Sequence, residues 1–351
     1  MIDLQLYGWN ETVAWRKECS NYRGLAHGRV MVTHKTCYEV IGEDGCYTCE
    51  LTGSMLYGKP VFEYPCTGDW VIFQPFDANR GIIVDRLPRE RTLYRRKSGT
   101  VADKQTMASY VDKAFIVQSL DEDFSVRRVE RFMVQMQEEQ IKPVLVLNKS
   151  DLDFDRFKLE TQLQHSLRHI PVFTTSLYRP ETLLPLRQYV GTGETVVFVG
   201  SSGVGKSSLI NALCRKSVLV TSDISLSTGK GRHTSTHREM VLVEGGGVLI
   251  DTPGIREFGL TADKSDAISE TLAVSGYAAA CRFGDCTHTN EPDCAVLKAV
   301  DDGVLDRGVY QNYLKMQRES WHFTASVHEK RNRDRAFSKL VAQVKKRKDD
   351  F

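Results

Sequence analysis

Two stretches decide how this chain is read: VLVLNKSDL at Val144–Leu152 and GSSGVGKS at Gly200–Ser207. The first is an apolar strand that delivers Asn148, Lys149 and Asp151, the residue types of a guanine-reading corner. The second matches the phosphate-loop pattern G-x4-G-K-S. In the usual order the phosphate loop comes first, and here it comes second. Either one motif is an accident, or the chain visits the parts of one site in an unusual order.

The phosphate loop has the required context. VVFV precedes it and a helical stretch, KSSLINALC, follows. Gly200, Gly203 and Gly205 let the backbone wrap a phosphate between Ser201, Ser202 and Val204, and the amides through Ser208 supply partial positive charge. Lys206 is placed to reach the β- and γ-phosphates, and the Ser207 hydroxyl to ligate Mg²⁺.

Further on, VLIDTPGI sets Asp251 at the end of an apolar strand, where a carboxylate holds Mg²⁺ through water. The Gly254 amide can sense the γ-phosphate. Between these motifs lies SLSTGKGRHTSTHRE, Ser225–Glu239, a polar, basic loop. A nucleotide switch needs a hydroxyl from such a loop to close over Mg²⁺. Thr234, Ser235 and Thr236 are candidates, and Thr234 is favoured. The residue after D-T-P-G is Ile255, which cannot orient water as a Gln there would. His233 in the loop is the candidate for that task, with an RNA contact or simple exposure as its alternatives.

Asn148 and Asp151 suit guanine, because a carboxylate accepts from both the N1 and N2 hydrogens of that base and adenine offers no such pair. The stem of Lys149 can lie along the base, and Ser176 in FTTS, one strand later, can support it. A sheet depends on which strands are neighbours, not on which comes first. Joining the usual ends and cutting elsewhere leaves such a site intact. Both motifs are therefore compatible with a circularly permuted GTPase binding GTP or GDP, with residues 177–195 as the joining segment.

The bulk numbers agree with a multidomain globular chain. At 351 residues, two or three domains are expected. With 41% hydrophobic and 26% charged residues and a net charge of +2, nothing in the composition singles out nucleic acid. No run approaches the roughly 20 apolar residues of a membrane span, and the N-terminal MIDLQLYGWNE has no secretory pattern. A cytoplasmic monomer without membrane contact is expected.

The texture divides the chain into four parts. Residues 1–24 carry a short helical segment around WNETVAWRKEC. Residues 25–97 hold five short strands, GRVMVTH, CYEVIG, CYTCELTG, DWVIFQP and GIIVDRL, which predict an OB-fold β-barrel. Residues 98–260 alternate apolar strands with helices, the pattern of an α/β P-loop domain with a parallel sheet. Residues 261–351 are mainly α, with a basic C-terminal tail. Because the switch and metal loops lead into that last part, nucleotide state is expected to reach it.

Nine cysteines are present. Cys281, Cys286, His288 and Cys294 form a closed tetrahedral set that fits structural zinc, leaving no position for catalytic water. Cys19, Cys37, Cys46, Cys49, Cys66 and Cys214 read as core residues. The arginines of RLPRERTLYRRK, beside the barrel, can neutralise phosphates.

Taken together, GRV, GDWV, LPRERTLYRRK, NKSDL, GSSGVGKSSLIN, GRHTST, DTPGIREFGL and CRFGDCTHTNEPDCAV closely resemble the small-ribosomal-subunit biogenesis GTPases, the RsgA (YjeQ) family. The resemblance spans essentially the whole chain. It implies an OB barrel, a permuted GTPase domain and a zinc domain. It also implies binding to the small ribosomal subunit and its rRNA late in assembly, with subunit-stimulated GTP hydrolysis. One departure is ASYVD at Ala108–Asp112, with Tyr110 where the family usually has Asn. Two other readings remain: a nucleotide-gated RNA-binding checkpoint with little catalytic role, and a GTPase serving a non-ribosomal partner.

Overall fold

The computed structural model describes residues 1–58, 60–96, 104–121, 124–167, 170–214, 239–252, 265–325, 328, 329, 331 and 335. The chain divides into two compact units, Met1–Lys97 with Lys104–Gly259, and Ser98–Asp103 with Leu260–Phe351.

The first unit begins with a 3-10 turn, Leu4–Tyr7, and a helix, Glu11–Glu18. Asn10 starts that helix: its side chain accepts from the Val13 amide at 3.0 Å, satisfying one of the orphan donors of the first turn. Five strands come next: β1 (Ala26–Thr33), β2 (Tyr38–Gly42), β3 (Gly45–Leu51), β4 (Trp70–Asp77) and β5 (Arg80–Arg86). They close into a barrel in the order β1-β2-β3-β5-β4, as the five strand-like runs predict. Val30, Val40, Cys49, Val71, Phe73 and Ile83 fill its core. Gly28 is required where β1 crosses β2, since a β-carbon there would lie 2.5 Å from the Ile41 carbonyl oxygen.

A buried ionic network fastens the barrel to its exit segment. Asp69 is fully buried. Its carboxylate accepts from Arg89 Nη2 at 2.7 Å, from the Ser109 hydroxyl at 2.6 Å and from the Cys66 amide at 2.8 Å. Arg89 also donates to the carbonyls of Phe62 and Tyr64. Arg91 pairs with Glu90 and Asp112, and Arg86 bonds the carbonyls of Glu63 and Leu87. The sequence reading of these arginines as a phosphate-neutralising patch is thus corrected for Arg86, Arg89 and Arg91. Their guanidiniums are committed to holding the chain where it leaves the barrel.

The exit segment forms a hairpin the sequence did not announce, β6 (Leu93–Arg96) and β7 (Lys104–Ala108). It leads to Tyr110, whose φ of +54° is uncommon for a residue with a β-carbon and easier for Asn. Tyr110 is buried, and its hydroxyl donates to the Pro88 carbonyl at 2.5 Å.

The six-stranded sheet comprises β8 (Lys113–Ser119), β9 (Lys142–Asn148), β10 (Val172–Thr174), β11 (Thr195–Val199), β12 (Met240–Leu242) and β13 (Val248–Asp251). Its order is β10-β9-β8-β11-β13-β12, parallel throughout except for the edge strand β12. β8 and β11 are buried along their whole length, as strands covered on both faces must be. The helix Val126–Glu138 covers one face through Val129, Phe132 and Met136. The helix Lys206–Cys214 covers the other through Leu209, Ile210 and Leu213. Barrel and sheet also touch through a bridge between Val32 and Glu239.

The described part of the second unit is helical: Ser265–Thr271, Ser275–Ala278, Ala295–Asp301 and Arg307–Thr324. Among the described residues no helix is long and apolar enough to cross a membrane.

Asp69→Ala would leave the Arg89 guanidinium buried without its counter-ion, so a loss of about 3–5 kcal/mol is expected. Urea unfolding followed by tryptophan fluorescence measures it. A loss below about 1 kcal/mol, the size of an exposed pair, would contradict the anchoring role.

Candidate nucleotide site and thiol–imidazole cluster

The strand order turns at β8. From β8 the chain moves outward through β9 to β10, then returns to β11 on the other side. Crevices at such a reversal, beyond the carboxyl ends of the strands, are where ligands bind in open α/β sheets. The phosphate loop leaves β11 there and the NKSD corner leaves β9, with only β8 between them.

The loop's glycines are dictated by close approach. Gly200 has φ +145°, and a β-carbon on it would sit 2.3 Å from the Val117 carbonyl oxygen. Gly205 has φ +95°, and a β-carbon on it would sit 2.5 Å from Asn148 Nδ2. Ser201 and Val204 are buried, while Ser202 and Gly203 are exposed at the loop's tip. Lys206 Nζ donates to the carbonyls of Gly200 at 2.9 Å and Ser201 at 2.7 Å. Burial pushes its pKa down, and the Asp251 carboxylate opposes that shift. The Ser207 hydroxyl, one residue on, donates to Asp251 Oδ2 at 2.6 Å.

Asp251 is where the local electrostatics ask for a cation. Burial raises its pKa, against the lowering effects of Ser207, Lys206 and the Thr252 amide. Its Oδ1 is buried with no hydrogen-bond partner among the described residues. A hydroxyl and a half-satisfied carboxylate fit a hard divalent cation such as Mg²⁺. Ser207 and Asp251, expected to share that ion, lie together.

Asn148 joins the two motifs. Its Nδ2 donates to the Val204 carbonyl of the phosphate loop at 2.8 Å, and its Oδ1 accepts from Thr175 Oγ1 at 3.1 Å. Asp151 is exposed, with Oδ1 accepting from Ser176 Oγ at 2.5 Å. Ser176 is itself held by the Thr182 hydroxyl, which accepts from its amide at 3.0 Å. Asn148, Lys149, Asp151 and Ser176 thus gather at one corner beside the phosphate loop. His233 and Thr234, with Ser235 and Thr236, lie outside the described residues, as do Gly254 and Ile255.

Sequence reasoning missed Thr175 and Thr182. Thr175 stood in the quoted FTTS run, where only Ser176 was singled out. Thr182 lies in the joining segment, in a 3-10 turn, Pro180–Leu183, that carries no motif.

In the second unit, Cys281, Cys286, His288 and Cys294 bring one donor atom each to within 4.8 Å of one another. The Cys281 and Cys294 sulfurs each lie 3.5 Å from His288 Nδ1, and 3.9 Å from each other. A tetrahedral zinc ion with ordinary bond lengths gives edges of about 3.6 Å (S to N) and 3.8 Å (S to S). The donor set is compatible with such an ion. The Glu291 carboxylate accepts from the amides of Thr287, Thr289 and Asn290 at 2.9–3.1 Å, shaping the loop. The Tyr310 hydroxyl donates to the His288 carbonyl at 2.8 Å. Of the remaining cysteines, Cys49, Cys66 and Cys214 are buried as expected. Cys19 and Cys46 are exposed, which corrects their reading as core residues: Cys19 comes directly after the helix Glu11–Glu18, and Cys46 points out of β3.

Asn148→Ala removes the bond across to Val204 and is expected to weaken GDP binding by about 5- to 150-fold, from about 1–3 kcal/mol for an orphaned buried carbonyl. Titration with a fluorescent GDP analogue measures this, and wild-type affinity would contradict the joining role.

The model of the RsgA GTPase family matches residues 86–261. The small ribosomal subunit biogenesis GTPase RsgA 1 of Bacteroides thetaiotaomicron is 65% identical over 99% of this chain and 98% of its own length. The crystal structure of YjeQ from Thermotoga maritima superposes with a TM-score of 0.62 at 26% identity, covering 84% of this chain and 98% of that one. The crystal structure of YloQ, described as a circularly permuted GTPase, has the same fold. Its TM-score is 0.63 at 22% identity, over 87% of this chain and 98% of that one. With its phosphate loop and base corner joined through Asn148 in permuted order, this chain belongs to the RsgA GTPase family.

Proposed function

We propose that this GTPase binds the small ribosomal subunit and assists its late maturation, with hydrolysis stimulated by the subunit and coupled to release. The observation that carries the nucleotide half is the Asn148–Val204 hydrogen bond, which makes one site of two motifs. The ribosomal half rests on the near full-length 65% identity to a protein named for small-subunit biogenesis.

In this reading Asn148, Lys149, Asp151 and Ser176 hold guanine. The loop from Gly200 to Ser208 wraps the phosphates, with Lys206 at the β- and γ-phosphates. Ser207, Asp251 and Thr234 hold Mg²⁺, which when bound neutralises charge that develops on the phosphates. Gly254 senses the γ-phosphate and His233 orients the attacking water, a task Ile255 cannot perform. Cys281, Cys286, His288 and Cys294 hold one structural zinc ion, which braces the loop between its flanking helices. The protein acts as a cytoplasmic monomer and contacts rRNA. Its working parts are a helical lead-in (1–24), the barrel (25–97), the GTPase domain (98–260) and a zinc-binding helical domain with a basic tail (261–351).

GTP hydrolysis with and without purified small subunits tests this for wild type, Lys206→Ala and His233→Ala. Strong stimulation in wild type, lost in both variants, is expected. A rate that subunits leave unchanged while a GTP analogue still promotes binding would favour a checkpoint that works by release. Failure to bind subunits at all would move the search to another partner. Metal analysis should find zinc bound in wild type and depleted in Cys294→Ser.

A further inference from the structure

Lys149 has a backbone φ of +59°, an uncommon conformation for a side chain of its kind. Such geometry persists where surrounding structure imposes it, and it clusters at ligand sites. Two backbone bonds hold the corner: the Leu152 amide donates to the Lys149 carbonyl at 3.0 Å, and the Ser150 amide to the Thr175 carbonyl at 3.1 Å. The side chain is held too. Lys149 Nζ lies 3.1 Å from Asp121 Oδ2. Asp121 belongs to the loop leaving β8, the strand between the two motif-bearing strands. Its other oxygen, Oδ1, accepts from the Ser119 hydroxyl at 2.7 Å. Ser119 pairs with Asn148 in the β8–β9 register, and the Leu120 amide donates to the Asn148 carbonyl at 2.9 Å. One carboxylate oxygen is thus fixed to the sheet and the other is turned to the lysine.

We infer that Asp121 is a positioning residue for the guanine base. It tethers the Lys149 ammonium so that the butyl stem presents a fixed apolar edge on which the base rests. The inference builds on the proposed guanine site and names a residue outside the four assigned to it. As a folding contact the pair has little to offer, since the two side chains are 33% and 32% exposed and ion pairs of that exposure are weak. Its value lies in order: without the tether, the long flexible lysine would have to be immobilised by the nucleotide itself, at a cost in affinity. A base lying over the stem would also shield the pair from water and strengthen it. Asp121 touches no edge of the base, so its effect should fall equally on every purine that Asp151 accepts.

The test measures Kd for GDP, IDP and ADP in wild type, Asp121→Ala, Asp121→Glu, Lys149→Ala and the double variant. IDP lacks the exocyclic amino group that Asp151 is expected to read. Asp121→Ala is expected to weaken GDP and IDP by the same factor, about 5- to 20-fold for a charge-assisted contact. The Asp121→Ala change should add nothing in the Lys149→Ala background, and Asp121→Glu should recover part of the loss. Wild-type affinity in Asp121→Ala, or losses that multiply in the double variant, would overturn the assignment. So would a changed GDP-to-IDP ratio, because it would show that the loop merely supports Asp151. A wild type that binds ADP as well as GDP would overturn the guanine reading itself, and this assignment with it.

Discussion

A single hydrogen bond, from Asn148 Nδ2 to the Val204 carbonyl at 2.8 Å, makes one site out of two motifs. It links the end of β9 to the phosphate loop across β8, and the rest of the site is arranged around it. The bond constrains both sides. Gly205 must be glycine because Asn148 Nδ2 would otherwise lie 2.5 Å from its β-carbon. The amide's oxygen is taken by Thr175, which fixes which way the side chain faces. An amide buried to this degree is costly unless both its ends are satisfied, and here both are. Asp251 departs from that rule: one oxygen is matched by Ser207 and the other has no hydrogen-bond partner among the described residues.

The permuted order is one that the sheet geometry permits. With β8 in the middle, the segment β8–β10 and the segment β11–β13 occupy opposite sides of one sheet. Each carries its motifs at the carboxyl ends of its strands. Exchanging the two segments along the chain changes the connections and leaves every neighbour in place. The cost is a new link, and residues after Ser176 supply it through the 3-10 turn Pro180–Leu183 and the helix Leu184–Gln188. Thr182 in that link now steadies Ser176, so the joining segment has itself become part of the base corner. The sheet also touches the barrel through the Val32–Glu239 bridge, and Arg89 on Asp69 holds the segment that leads from barrel to sheet.

Much of this was legible in the sequence where a residue type answers to one local requirement. Glycines at fixed spacing, an Asn and an Asp after an apolar strand, and closely spaced Cys and His each have few physical uses. The barrel strands were legible from their β-branched and aromatic runs. What stayed hidden depended on long-range pairing. The arginines of RLPRERT look like a solvent-facing patch until Asp69, far back in the chain, is brought against Arg89. Strand β12 is three residues long and finds its place only by pairing with β13. Asp121 carries no motif, and only the β8–β9 register sets it near Lys149. Tyr110 shows the same limit: an unusual residue for a left-handed position is tolerated because Pro88 receives its hydroxyl.

The central claim is that the NKSD corner reads the base of the same nucleotide whose phosphates the loop at Gly200–Ser207 holds. Swapping the acceptor at Asp151 for a donor tests it most directly. Asn in that position offers an N–H to a carbonyl, which xanthine carries where guanine has its amino group. Affinities for GDP and XDP, measured in wild type and Asp151→Asn, each with and without Lys206→Ala, give the answer. The account predicts that Asp151→Asn exchanges a preference for GDP for a preference for XDP, by about a hundredfold or more in each direction. Lys206→Ala should weaken whichever nucleotide is preferred. If Asp151→Asn still prefers GDP as wild type does, the corner does not read the base, and the permuted site is contradicted.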